Sequence, residues 1–381
     1  MGDAAPDTTD AKVVARADFG ALIDALWSTG YTVIGPTVAD ATITYDEVRS
    51  EADLPQGWTD VHDAGAYSLQ RRKDEALFGY VVGQATWKRY LYPPQSVLLH
   101  IGRSESGALT FSEPDLQPTQ FAFLGVRGCE MAAIAIQDQV FLESGYRDRT
   151  YAERRTGLLT IAINCAVVGR NCFCVSMETG PECTTGYDIV VTEIIDGDGH
   201  RFLCHAGSPD GAEILGRVPG RPAVSDDFYR VAAIVAESSA HMGRSMDTNN
   251  IRDLLHDSFE HPEWDDVAGR CLACTNCTLV CPTCFCSTTE DTASLDGAEA
   301  VRSRRWDSCF TLDFSALHGS PVRASTKARY RQWMTHKLAG WYDQFGTSGC
   351  VGCGRCITWC PVGIDITAEA AAIREGAEIP A

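Results

Sequence analysis

The sequence predicts an α+β fold: an N-terminal α/β region containing a βαβ unit, followed by a mostly helical domain that carries two copies of one cysteine motif. Three observations predict it. Residues 120–164 read strand, helix, strand. Apolar residues after Asp226 recur at steps of three and four, and one cysteine spacing occurs at 271–282 and again at 350–361.

The chain has 381 residues, enough for two or three domains at about 150 each. With 45% hydrophobic and 22% charged residues it has an ordinary globular composition rather than a disordered or fibrous one. The net charge of −19 opposes broad binding to nucleic acid or to an anionic membrane, whose phosphates repel such a field. No apolar run approaches the roughly 20 residues of a membrane span. The opening residues, MGDAAPDTTDAK, are acidic and lack the basic start and apolar stretch of a signal peptide, so the expected location is the cytoplasm. In that reducing setting 17 cysteines point to metal ligation rather than to disulfides.

Residues 1–115 are expected to form an α/β docking lobe. Within it Phe19, Leu22, Ile23, Leu26 and Trp27 fall at helical spacing, and residues 32–35 read as a strand. His62 and His100 have no ligand-like companions nearby and are read as structural or exposed. Residues 116–225 form a middle α/β domain. A buried strand over 120–126, a helix over 130–143 carrying Ile134, Val140 and Phe141, and a second strand over 158–164 make a βαβ unit, so the two strands should lie parallel. Residues 187–194 add a strand, and the Gly and Pro of 208–224 mark a domain boundary. Residues 226–381 are read as helical. Ile251, Leu254, Leu255 and Phe259 form one apolar stripe. A longer one runs through Tyr330, Trp333, Met334, Leu338, Trp341, Tyr342 and Phe345, and both are read as core.

The cysteine motifs carry the chemistry. Cys271, Cys274, Cys277 and Cys281-Pro282 have the spacing C-x2-C-x2-C-x3-C-P, repeated by Cys350, Cys353, Cys356 and Cys360-Pro361. A tight loop of this spacing presents three thiolates to one iron–sulfur cubane, and in two-cluster ferredoxins the fourth cysteine serves the other cluster. The spacing therefore assigns Cys271, Cys274, Cys277 and Cys360 to one 4Fe–4S cluster and Cys350, Cys353, Cys356 and Cys281 to a second. A zinc ion would need only four such ligands and no proline-marked fourth position. The exchange requires about 70 intervening residues to leave and return to one place.

Residues 302–337 hold Arg302, Arg304, Arg305, Arg323, Lys327, Arg329, Arg331 and Lys337 against Asp307 and Asp313. This excess reads in three ways: charge that offsets anionic clusters, a docking face for an acidic partner, or a solvated helix surface.

Cys129 and Cys165 each follow a strand of the βαβ unit, so both fall at the carboxyl edge of one sheet, where open α/β sheets bind ligands. Cys129 also opens a helix, whose N-terminus favours a thiolate. With Cys172 and Cys174 they make a candidate third cluster; the alternative is burial as small hydrophobes. Cys284, Cys286 and Cys309 are read as alternative ligands or structural thiols. Cys183 and Cys204 show no ligand pattern, and Trp359 is expected to shield the cluster beside Cys360.

There is no Gly-rich dinucleotide fingerprint and no P-loop, so no flavin, nicotinamide or nucleotide site is placed. No pair of CxxC motifs of the nickel–iron type and no histidine cluster is present, so no catalytic residue is assigned. Clusters without substrate chemistry describe an electron conduit.

These residues resemble the beta subunit of cytoplasmic nickel–iron hydrogenases of the sulfhydrogenase type and the related A subunit of anaerobic sulfite reductase. GVRGCEMAAI (125–134) is similar to that family's GVRPCD segment, with Gly128 and Glu130 where the family often has Pro and Asp. NCFCVSMETGP (171–181), CPTCFC (281–286), RRWDSC (304–309) and GCVGCGRCITWCPVGIDI (349–366) are similar to its other signatures. The resemblance implies a subunit that relays electrons between a flavin-containing NAD(P)H subunit and nickel–iron hydrogenase subunits, or, in the alternative, sulfite reductase subunits. A substrate-binding iron–sulfur enzyme is a further alternative.

Overall fold

A computed structural model describes residues 10–104, 106–115 and 120–377. The start of the segment behind the signal-peptide expectation (1–9) and the start of the expected middle domain (116–119) lie outside the described residues.

The strands are β1 (Ala11–Ala15), β2 (Thr32–Ala39), β3 (Thr42–Glu47), β4 (Trp58–Asp63), β5 (Ala66–Arg71), β6 (Gln95–Arg103), β7 (Leu109–Ser112), β8 (Phe121–Arg127), β9 (Leu159–Ile163), β10 (Ile189–Asp196), β11 (Gly199–Ala206), β12 (Arg221–Pro222), β13 (Ser287–Ala293) and β14 (Glu299–Trp306). Eight of them form one sheet in the order β12-β1-β11-β10-β9-β8-β2-β3. Its middle, β10-β9-β8-β2, is parallel, as the strand–helix–strand reading requires, and its edges are antiparallel. The parallel strands are mostly apolar because both faces are covered. Leu124, Ile161 and Val191 point to a core with Phe19, Leu22 and Leu26 of the helix Gly20–Ser28. Phe123, Val126 and Ala162 point to the opposite core, with Met131 and Ile134 of the helix Gly128–Asp138.

Two boundary expectations change. Strands from residues below 115 and above 116 interleave in this one sheet, so the docking lobe and middle domain share a core. The helix Ser225–Ala240 packs Phe228, Val231 and Ile234 on Ala11, Ile194 and Leu203, so it covers the sheet and does not open the helical domain.

The C-terminal region is less helical than its periodicity suggests. β13 and β14 form a hairpin that joins β6 and β7 in a second sheet. The hairpin strands are mostly polar and largely exposed, which leaves no period-two stripe to read. Arg302, Arg304 and Arg305 stand on β14 and pair with Asp291, Asp148 and Glu290. The expected positive excess is therefore largely neutralised by acids outside the run, and this part of it is not a helix surface. The aromatic stripe is core as expected: Tyr330, Trp333, Met334, Leu338 and Trp341 are buried, most of them with Trp264 and Ile357.

A fully buried ion pair clamps the sheet to the second cysteine loop. Arg355 donates to Glu130, which also accepts from Tyr45 Oη at 2.9 Å, Trp87 Nε1 at 3.0 Å and the Arg127 backbone at 3.1 Å. Arg355 further donates to the Gly83 and Ala85 carbonyls, each at 3.0 Å. Removing one member of such a pair strands the other charge and costs about 3–5 kcal/mol. Arg355→Met is expected to lose that much in anaerobic urea titration, and Glu130→Gln added to it should restore part. A single-variant loss below about 1 kcal/mol would show that the clamp lies elsewhere.

Candidate metal centre

The two cysteine motifs fold as matching loops. Ala273 and Thr275 in the first take left-handed backbone angles (φ 51° and 70°), and Gly352 and Gly354 do so at the corresponding places in the second (φ 63° and 74°). Each loop then enters a single helical turn, Asn276–Leu279 or Arg355–Thr358. The second loop needs glycine for space as well. A Cβ on Gly352 would meet the Phe173 carbonyl and the Cys174 nitrogen at 2.6 Å, and one on Gly354 would meet the Asn171 oxygen at 2.3 Å. The loops are also tied together, Asn276 Nδ2 donating to the Trp359 carbonyl at 3.0 Å.

Cys271, Cys274, Cys277 and Cys360 line one cavity, which Cys356 also reaches. Its apolar wall includes Phe310, Tyr330, Trp333, Ile364 and Ile366. The aromatic screen thus comes from residues distant in sequence, whereas Trp359 stacks on Tyr67 with ring centroids 5.0 Å apart. Backbone N–H groups of Ala273 and Ile364 reach the sulfurs of Cys271 and Cys360 at 3.4 and 3.3 Å. Cys274 is exposed and lies beside the exposed Leu272.

The fourth cysteine of each motif stands with the opposite loop. Burial pushes the Cys277 thiol well up, and Cys271, Cys274 and Cys360 add to that more than Cys281 does. Burial pushes Cys356 up in the same way, there with Cys350, Cys353 and Cys281 ahead of Cys277. Cys350 rises to about 12 for the same reason.

The four middle cysteines also meet. Cys129, Cys165, Cys172 and Cys174 line a single small cavity with Arg127, Val81, Val82 and, from the second loop, Gly352 and Cys353. The cavity sits at the carboxyl ends of β8 and β9, and β8 bulges at Gly125 just before it. All four thiols are buried. The helix N-terminus does not make Cys129 acidic: burial outweighs it and pushes the thiol well up, with Cys174 and Cys353 adding to the effect. Burial raises Cys172 to about 12, and it raises Cys165 against the opposing pull of the buried Arg127 guanidinium 4.0 Å away. Such thiols lose their protons readily only to a bound cation.

Among the described residues no three His, Cys, Asp or Glu side chains stand close enough to share one metal ion. The cysteines instead surround cavities. This donor set fits iron–sulfur clusters: four thiols around a space with apolar walls, and N–H groups directed at sulfur.

Of the remaining cysteines, Cys183 packs under the carbonyls of Ile163 and Val126, and Cys204 is buried in the sheet core. His62 is buried near Asp60, and His100 is exposed on β6. Two lysines are buried here: sequence reasoning missed Lys88 and saw Lys337 only as one member of a positive run. Lys337 donates to Cys281 and Cys284 sulfurs at 3.3 and 3.5 Å, and Lys88 donates to the Cys281 and Cys284 carbonyls at 3.0 and 3.1 Å. No local pattern distinguishes them from surface lysines.

A family model for the 4Fe-4S dicluster domain matches residues 270–364. The sulfhydrogenase 2 subunit beta of Pyrococcus furiosus is 30% identical over 306 residues, which is 80% of this chain and 87% of that protein. No solved structure matches. No helix among the described residues is long and apolar enough to cross a membrane.

The close approach of Gly352 to Phe173 and Cys174 makes a separable prediction. Gly352→Ala should destabilise by more than Gly346→Ala, because both have left-handed angles but only Gly352 is crowded. The left-handed angle alone costs about 1–2 kcal/mol. Equal losses in urea titration would remove the packing explanation.

Proposed function

The chain belongs to the family of sulfhydrogenase beta subunits, and on that premise we propose that it is the iron–sulfur relay of a hydrogenase complex. It acts as an electron-transfer subunit and carries no catalytic residue of its own. The observation that carries this reading is the row of cysteine sites: the middle cavity shares Cys353 with the second loop, and Cys356 of that loop reaches the first cavity, which ends at exposed Cys274.

Cys271, Cys274, Cys277 and Cys360 would hold one 4Fe–4S cluster, Cys350, Cys353, Cys356 and Cys281 a second, and Cys129, Cys165, Cys172 and Cys174 a third. A cluster supplies a one-electron couple whose potential depends on net charge, sulfur hydrogen bonds and solvent access. The residues here set each of these. Ala273 and Ile364 donate to sulfur, Phe310, Tyr330 and Trp333 keep water from the first site, and Arg127 places a buried positive charge at the third. Burying Arg127 and Arg355 beside thiols is tolerable only where negative charge meets them.

The relay would run between a flavin-containing NAD(P)H subunit and nickel–iron catalytic subunits, with Cys274 and Leu272 at the end open to a partner. A cytoplasmic location accords with the acidic charge.

Anaerobic iron and sulfide analysis tests the assignment. Three clusters give about twelve irons per chain, and Cys172→Ser and Cys274→Ser should each remove or labilise about four with the others retained. Zinc without sulfide, or a full complement of iron with normal spectra in both variants, would defeat it. Trp359→Ser, which breaks a stack outside the cavity, should leave iron content unchanged.

A further inference from the structure

The positive run over 302–337 reads in three ways from the sequence, and the fold sends one member of it to a cysteine loop. Arg302, Arg304, Arg305 and Lys327 pair with carboxylates. Lys337 goes inward instead. It lies on a π-helical turn, His336–Gly340, between the helices Thr326–Thr335 and Trp341–Phe345, whose Trp333, Met334 and Trp341 are core. The turn carries Lys337 inside with them, and only 6% of its surface stays exposed. Such turns occur often at functional sites.

Its ammonium joins two segments. It donates to Cys281 Sγ at 3.3 Å, Cys284 Sγ at 3.5 Å, Thr283 Oγ1 at 2.9 Å and the Gly349 carbonyl at 3.2 Å. Thr283 Oγ1 in turn donates to the Gly349 carbonyl at 2.8 Å and lies 3.1 Å from Cys281 Sγ. The end of the first motif is thus held against the residue that precedes Cys350 in the second. No carboxylate is among these four partners. Burying a cation without a counter-charge is costly, and of these partners only the sulfurs can become anionic. Lys88 grips the same segment, but through the Cys281 and Cys284 carbonyls, at 3.0 and 3.1 Å.

We propose that Lys337 is a positioning residue of the second site, where it acts through Cys281 to raise the reduction potential. This rests on the relay reading, in which Cys281 belongs with Cys350, Cys353 and Cys356. An ammonium buried against a ligand sulfur favours the state with one more negative charge, and little water is present to screen it. What it favours is the arrival of one electron that a neighbouring 4Fe–4S site loses. No bond forms or breaks and no proton moves, because Lys337 stays charged in both states. The second loop borders both other cavities, through Cys353 and Cys356, so the charge acts on the site between them.

The test is an anaerobic redox titration of the iron-loaded full chain followed by EPR, with iron and sulfide assayed on the same samples. Lys337→Gln removes the charge and keeps a donor. It should retain its iron, while one couple, the one that Cys350→Ser abolishes, moves down. The oxidised-to-reduced ratio at the wild-type midpoint should then rise about tenfold, which for a one-electron couple is about 59 mV. The other couples should stay in place, and Lys337→Arg, which keeps the charge, should titrate like the wild type. Full iron in Lys337→Gln with every midpoint unmoved overturns the role of Lys337 and leaves the relay standing. An equal shift in Lys337→Arg also overturns it, by making the effect one of packing. Where Lys337→Gln loses iron, the arginine variant decides: iron retained at the wild-type midpoint supports the charge, and iron lost again makes Lys337 a structural pin and overturns its role in potential. A wild-type chain that binds no iron defeats the relay reading, and the role of Lys337 with it.

Discussion

The contact on which the site depends is the ion pair between Arg355 and Glu130. Glu130 follows Cys129 at the sheet's carboxyl edge, and Arg355 stands between Cys353 and Cys356 in the second loop. The pair therefore fixes the middle cysteines against a loop that enters the chain more than 200 residues later. Its charges tolerate burial because most of their polar atoms are met: Tyr45, Trp87 and the Arg127 N–H face the carboxylate, and two carbonyls face the guanidinium, of which only Nη1 lacks a partner. Around this anchor the backbone packs so closely that only glycine fits at 352 and 354.

Charge is distributed against the overall composition. A chain of net charge −19 places Lys88, Arg127, Arg329, Lys337 and Arg355 in its interior, all within reach of the cysteine loops or of the elements that wall them. Thiolate-bound clusters are anionic, so buried cations at these positions lower the cost of holding negative charge away from water. The arginines of β14 have a different role: exposed Arg302 and Arg305 are satisfied by carboxylates of the hairpin, and the less exposed Arg304 by Asp148 at the start of the helix Arg149–Thr156. The two exposed pairs contribute little to stability.

Local pattern made much of this legible. The βαβ unit could be read because the parallel strands are buried on both faces, which makes them short continuous apolar runs, and the intervening helix repeats at its own period. The eight motif cysteines could be read because a cluster-binding loop is a local object whose spacing is set by its own backbone. The hairpin of β13 and β14 was hidden: its strands are mostly polar and exposed, so neither the period of two nor a hydrophobic run survives. The helix N-terminus at Cys129 misled because its effect is smaller than that of complete burial, which no local pattern shows.

The sequence by itself determined which residues can bind metal and how each loop turns, since thiol chemistry and the spacing of three cysteines act within a few residues. Only the tertiary structure decided which loops meet. Cys353 at the middle cavity, Phe310 and Trp333 over the first, and Lys337 against Cys281 and Cys284 are contacts between segments far apart in the chain. Such contacts depend on how whole elements pack, and packing is a property of shape and burial summed over the fold, which no short stretch of residues encodes.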